Sequence, residues 1–180
     1  MFPHYAEPVA RAATPAIAAL MAAGVPHEVL QYHHDPRNES FGEEAAEALA
    51  RDEGVDAEQV LKTLVVALSG GPRSGSGRDI RLGVAVLPVP AKLSLKATAA
   101  ALGVPKVMMA ERAAAERSSG YVIGGISPFG QRRPLPTVVD ESALRWDRVL
   151  CSAGKRGWEV AVHPRDLIAL TSATTAAISA

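Results

Sequence analysis

The stretch from Ser118 to Asp140, SSGYVIGGISPFGQRRPLPTVVD, constrains this chain more than any other. Gly120, Gly124, Gly125 and Gly130 open backbone conformations closed to other residues, or let a ligand approach the main chain. Pro128, Pro134 and Pro136 each fix a φ angle, so the same run is permissive at some positions and stiff at others. Beside the glycines stand the hydroxyl of Ser127 and two cations, Arg132 and Arg133, which are costly to bury unpaired. Two readings follow from composition: a solvated Pro/Gly-rich connection with a basic tip, or a shaped cradle for a ligand.

The rest of the chain narrows the setting. A length of 180 residues suits one domain that buries roughly two thirds of its unfolded surface. Hydrophobic residues make up 48% but aromatics only 4%, so alanine-rich, close packing is expected. With 19 basic and 19 acidic residues the net charge is zero, and contact with RNA must come from a local patch rather than a global field. One cysteine, Cys151, excludes an internal disulfide and a cysteine-based zinc site, and suits a reducing cytoplasm. The five histidines show no zinc spacing, and no metal is expected. The N-terminus lacks the pattern of a signal peptide, and no run of 18 apolar residues occurs, so no membrane span is expected.

In order along the chain, residues 1–13 read as a loose arm, 14–170 as a single domain and 171–180 as a tail that frays. Thr14 and Pro15 open a helix that Gly24 closes. Val25 to Tyr32 is extended and leads into the polar cluster Tyr32-His33-His34-Asp35; two adjacent histidines cannot share a strand face, so at most one points into a pocket. Ser40 and Glu43 predict a capping box for a helix over 41–50. Leu61 to Leu68 is a strand apolar on both sides with Lys62 at its mouth, where the ammonium either snorkels to solvent or reaches a substrate oxygen. A Gly/Ser-rich connection, 69–79, carries Arg73 and Arg78 and joins it to a second strand, 80–89. Ser94 caps a helix ending near Gly103, Val104 to Met109 forms a short strand with Met108 and Met109 as core filler, and a helix over 111–117 enters the cradle. Strands over 137–139, 145–152 and 158–162 and a last helix over 165–170 complete the pattern. No strand and long helix repeat regularly and no GxGxxG follows a first strand, so the class is α+β rather than dinucleotide-binding.

No GxSxG, HExxH or paired carboxylates at helical spacing are present. Cys151 could be paired with His34 or His163 as a nucleophile, but a lone cysteine in RVLCSA reads as a buried small hydrophobe. Without an attacking side chain, catalysis must come from orientation and from donors aimed at developing negative charge.

The residues Ser119-Gly120-Tyr121, Gly125-Ile126-Ser127-Pro128, Arg132-Arg133 and Pro136, with VLKTLVVAL at 60–68 and CSAGKRGWEV at 151–160, resemble the aminoacyl-tRNA editing family. That family includes free-standing bacterial Cys-tRNA(Pro) deacylases and the editing domain inserted in prolyl-tRNA synthetases. The likeness spans about Thr14 to Leu170. It implies a small, mixed, mostly antiparallel β-barrel-like sheet flanked by helices. It also implies release of cysteine from mischarged tRNA(Pro) by the substrate's own thiol, with hydrolysis of Ala-tRNA(Pro) or a silent binding module as alternatives. By the same resemblance Lys62 holds the acceptor end, and the N–H groups of Gly124 or Gly125 lie near the ester carbonyl. Tyr32, His34, Ser127, Arg133, Ser152 and Gly154 then contact substrate. No cofactor is implied; the partners are the tRNA(Pro) acceptor end and prolyl-tRNA synthetase, and neither membrane nor DNA.

Overall fold

A computed structural model describes residues 12–70 and 81–180. Thr14 caps helix α1 (Pro15–Ala22): its hydroxyl accepts the Ile17 N–H at 3.1 Å and donates to the Ala153 carbonyl at 2.6 Å. Strand β1 (Glu28–Gln31) follows, then α2 (Phe41–Glu53), a 3-10 turn (Ala57–Gln59), β2 (Leu61–Ser69) and β3 (Arg81–Pro88). Next come α3 (Leu95–Leu102), β4 (Lys106–Met109), α4 (Arg112–Ser119), β5 (Thr137–Asp140) and a second 3-10 turn (Glu141–Arg145). The chain ends with β6 (Val149–Lys155), β7 (Trp158–Val162), α5 (Pro164–Thr171) and β8 (Thr174–Ala176).

The strands form two sheets, in the orders β1-β7-β6 and β4-β2-β3-β5-β8. Among the described residues four of the six strand pairs are antiparallel; β3 with β5 and β5 with β8 are parallel. The α+β class and the mostly antiparallel mixed sheet therefore hold, but among the described residues the strands do not close into a barrel. The two sheets face one another and touch in register where Val60 bridges Leu150.

Side-chain alternation explains this layering. Along β6, Val149 and Cys151 point into the central core while Leu150 points to the opposite face; along β7, Val160 and Val162 point in and Ala161 points out. Helix α2 covers that second face through Ala45, Ala46 and Leu49. In the larger sheet Val84 and Val86 face the central core, whereas Ala85 and Leu87 pack with Val138 and Ile178. The molecule is thus layered as helix, sheet, shared core, sheet and an outer layer of α3 with the C-terminal segment. Among the described residues no helix is long and apolar enough to cross a membrane.

Several sequence expectations are corrected. The Ser40–Glu43 capping box does not form: the Ser40 side chain makes no cap bond, and its N–H is taken by the Asn38 side chain at 2.9 Å. A capping box occurs instead at Asp56 and Gln59. Arg145 belongs to the 3-10 turn, and the strand expected from it begins at Val149. Met108 and Met109 are half exposed, because β4 is an edge strand whose inward residue is Val107. The loop arginines Arg73 and Arg78 and most of the N-terminal arm lie outside the described residues.

Residues 171–180 do not fray. Strand β8 extends the sheet beside β5, Ile178 is fully buried, and Leu93 bridges Ser179. Asp140 clasps this segment: Oδ2 accepts the N–H groups of Ile178 and Ser179 and the Ser179 hydroxyl at 2.9–3.0 Å, while Oδ1 accepts the Ser142 N–H. Burial pushes this carboxyl upward, and the bonds from Ser142, Ser179 and Ile178 outweigh that push and hold it below its ordinary value. A lowered native value means the stabilisation is present above the unfolded pKa and is lost as pH falls through the native one. Asp140→Ala should therefore cost about 1–3 kcal/mol at pH 7 by urea unfolding, with a smaller difference in acid. Equal stability of the two proteins at pH 7 would contradict the clasp.

Candidate functional site

A cavity of about 380 Å³ lies where the N-terminus of α2 meets the β1-β7-β6 sheet, the start of β2 and the turn at 123–126. Lys62, Gly124 and Ser152, all expected from sequence, line it together with Phe41, Glu43, Thr63 and Glu159. The strand pleat explains the grouping on β6 and β7. Ser152 and Glu159 are direct cross-strand partners on the face turned toward α2.

Lys62 is anchored rather than free. Its ammonium donates to the carbonyls of Ala91 at 2.6 Å and Val89 at 3.1 Å. An ammonium has three donors, so one remains for the cavity. Burial lowers its pKa, and the neighbouring Glu43 carboxylate acts in the opposite direction.

The turn opposite is built around Gly124. Gly125 N–H donates to the Val122 carbonyl at 2.9 Å, and Gly124 has φ +89° while Ile123 stays at negative φ, which defines a type II turn. A Cβ on Gly124 would stand 2.6 Å from the Phe41 ring, so both the conformation and the space require glycine here. The Ile123 N–H donates to Glu116 Oε1 at 3.0 Å, and the Ile123 carbonyl accepts from Arg156 Nε and Nη2 at 2.9 and 2.7 Å. The Arg156 guanidinium also stacks on Phe41, 4.6 Å from the ring centre.

The remaining expected residues stand outside the cavity lining. The Gly125 N–H is spent on Val122, and a Cβ added here would press on the Lys155–Arg156 backbone at 3.2 Å. Ser127 is fully buried and caps the Phe129 N–H at 3.2 Å, so it shapes the cradle from within. Gly154, at φ +97°, packs against Tyr121, whose hydroxyl donates to the Phe129 carbonyl at 2.6 Å. Arg133 is exposed, and its N–H donates to the Ser118 carbonyl. His34 is engaged by Glu44 at 2.6 Å, and the other oxygen of that carboxylate accepts the Asp35 N–H at 2.8 Å, which ties this loop to α2. Tyr32 is half-buried; burial first, then the Glu159 and Glu44 charges, raise its hydroxyl pKa above the ordinary tyrosine value. Cys151 is fully buried in the central core, away from the cavity, and burial pushes its thiol well up.

Sequence reasoning missed Phe41, Arg156 and Glu159. The last carried a usable signal: a lone acid in the apolar run WEVAV cannot be a comfortable core residue. Its side chain is buried, Oε2 has no hydrogen-bond partner among the described residues, and burial raises its pKa to about 8. A carboxyl raised from 4.5 to about 8 holds its proton more tightly when folded, so the folded state loses stability as pH rises across that window. Glu159→Gln should remove this slope and become more stable than the parent above pH 8, by up to a few kcal/mol. Thermal melts at pH 5, 7 and 9 test this; parallel pH profiles for the two proteins would rule out a buried neutral acid.

Comparison with known proteins places this geometry. The chain is 34% identical over 135 residues to EbsC of Enterococcus faecalis, a candidate Cys-tRNA(Pro)/Cys-tRNA(Cys) deacylase, covering 75% of this chain and 77% of that one. A solved structure of a candidate trans-editing enzyme for prolyl-tRNA synthetase shares the fold with a TM-score of 0.75 at 23% identity, over 96% of this chain and 99% of the other. A hypothetical protein of known structure matches similarly, with a TM-score of 0.74 at 23% identity over 93% and 100% of the two chains. Residues 42–170 match the family model of the aminoacyl-tRNA editing domain, and with that span and that relative the chain belongs to the aminoacyl-tRNA editing family.

Proposed function

We propose that this protein is a deacylase that releases cysteine from mischarged Cys-tRNA(Pro), with the substrate thiol as the attacking group. The observation that carries this reading is a cavity with charge and hydrogen-bond donors on its walls and no nucleophilic cysteine: Lys62, Gly124, Ser152 and Glu159 line it, while Cys151 lies buried elsewhere. The similarity to EbsC supports the choice of cysteine.

In this reading the free donor of Lys62 holds a phosphate or ribose oxygen of the acceptor end, and its two carbonyl partners fix where that donor points. The Gly124 N–H serves the carbonyl oxygen as negative charge develops on it. The cysteinyl sulfur attacks its own ester carbon, the bond from that carbon to the ribose 3′ oxygen breaks, and a four-membered thiolactone leaves. Glu159 is mostly protonated at neutral pH; its ionised fraction takes the thiol proton and returns it to the departing 3′ oxygen, so the step balances without an external acid or base. A carboxyl raised to about 8 is near the ordinary thiol value, which suits this exchange. The tRNA(Pro) acceptor end is the ligand and prolyl-tRNA synthetase the proposed partner.

Lys62→Ala should lower deacylation by about a hundredfold or more, because a misplaced ester loses its orientation. Lys62→Arg should not recover it, since a planar fork cannot occupy the two-carbonyl socket of a compact ammonium. An unimpaired Lys62→Ala enzyme would remove this residue from the site. The thiol step has its own measurement: Cys-tRNA(Pro) should be cleaved much faster than Ser-tRNA(Pro), whose hydroxyl is a poorer nucleophile. Equal rates would point to attack by water instead.

A further inference from the structure

The Ile123–Gly124 peptide is gripped on one side by a residue that does not line the cavity. Arg156 places two N–H groups on the Ile123 carbonyl oxygen, at 2.9 and 2.7 Å, and its guanidinium is itself fixed by stacking on Phe41. Glu116 holds the preceding N–H, that of Ile123, at 3.0 Å. The peptide bonds of the described chain are trans, so the Ile123 carbonyl and the Gly124 N–H point in opposite directions from one plane. Ile123 and Gly124 line the cavity and Arg156 does not. Pulling the carbonyl toward Arg156 therefore turns the Gly124 N–H away from it.

The turn type makes this orientation a choice with an alternative. Types I and II share the same closing hydrogen bond and differ chiefly by a flip of the central peptide, here Ile123–Gly124. Glycine at the third position tolerates either state. Type II is the state in which the carbonyl meets the guanidinium; in type I it would face the other way and a part-buried cation would lose both of these bonds. The contact also polarises the peptide: hydrogen bonds accepted by a carbonyl strengthen the N–H of the same amide as a donor.

We propose that Arg156 is a positioning residue for deacylation: it locks the Ile123–Gly124 peptide in the type II state, so that the Gly124 N–H faces the ester carbonyl, and strengthens that donor. The role rests on the proposed use of the Gly124 N–H, and it explains why a cation sits behind a pocket wall with its guanidinium spent on one backbone oxygen. Phe41 then has two functions, as pocket wall and as the platform that keeps the guanidinium plane in line with that oxygen.

The test uses the full chain and two substitutions, Arg156→Gln and Arg156→Lys, with single-turnover and steady-state deacylation of Cys-tRNA(Pro) and 1H–15N spectra in which the Gly124 amide is assigned. Arg156→Gln should lower kcat about ten- to a hundredfold, as expected for a weakened oxyanion donor, with KM within about twofold. Arg156→Lys keeps the charge but not the fork and should recover part of the loss. In both variants the Gly124 amide proton should move upfield, which mere loosening of a surface arginine would not produce. If the glutamine variant fails to fold, the lysine variant carries the same readouts. A rise in KM at constant kcat would make Arg156 an RNA contact and overturn the proposal. An unmoved Gly124 resonance overturns it whatever the kinetics. A parent enzyme that cleaves no mischarged tRNA would instead sink the deacylase reading, while the amide shift still decides whether Arg156 sets the peptide.

Discussion

The contact between Gly124 and the face of Phe41 is the constraint around which the pocket is organised. One partner opens helix α2 and the other is the third residue of a type II turn, so a single van der Waals approach joins the helix layer to the Pro/Gly-rich cradle. The approach is possible because no Cβ intervenes, and it is directional because the same ring supports Arg156. Displacing it would shift the turn and the α2 entrance together, and with them two of the cavity's walls. The layered fold below supplies rigidity: β6 and β7 alternate between a dry core and the pocket face, so Ser152 and Glu159 are presented by a packed sheet rather than by a loop.

Two buried acids show how the same group is used for opposite ends. Asp140 is surrounded by donors, its charge is stabilised, and it ties the C-terminal segment to β5. Glu159 has an oxygen with no partner among the described residues, its charge is disfavoured, and it faces a cavity. The fold satisfies one carboxylate fully and leaves the other with an unpartnered oxygen beside a cavity, the environment in which perturbed acids at functional sites are found. Lys62 is an intermediate case, with two carbonyls satisfied and one donor left over.

Three of the residues expected from sequence, Lys62, Gly124 and Ser152, line the candidate cavity, and these are residues that carry their constraint locally. The glycines of the cradle, Lys62 at a strand mouth and Ser152 beside a glycine-bounded turn are all visible in sequence. What was not legible is which of these share a wall. Ser127 and Gly154 lie close in sequence to pocket residues yet shape the cradle from behind, and His34 is engaged by Glu44 from the first turn of α2. Arg156 reads in sequence as one more cation in a tight turn; its meaning comes from a carbonyl 33 residues away.

Sequence by itself determined the local elements, the α+β class and the resemblance to an editing family, because caps, glycines, apolar periodicity and short motifs act over a few residues. Thr14, Ser94, Gly54 and Gly103 begin or end helices as their chemistry dictates. Tertiary structure alone decided that the sheets stay open, that the small polar tail becomes a strand with a buried isoleucine, and that Glu159 rather than His34 faces the cavity. Each of these depends on groups distant in sequence: the tail is ordered by Asp140 and β5, and the acid is exposed to the pocket by the register of β6 on β7. Register and long-range hydrogen bonds have no signature within a single segment, since the energy that selects them belongs to both partners at once.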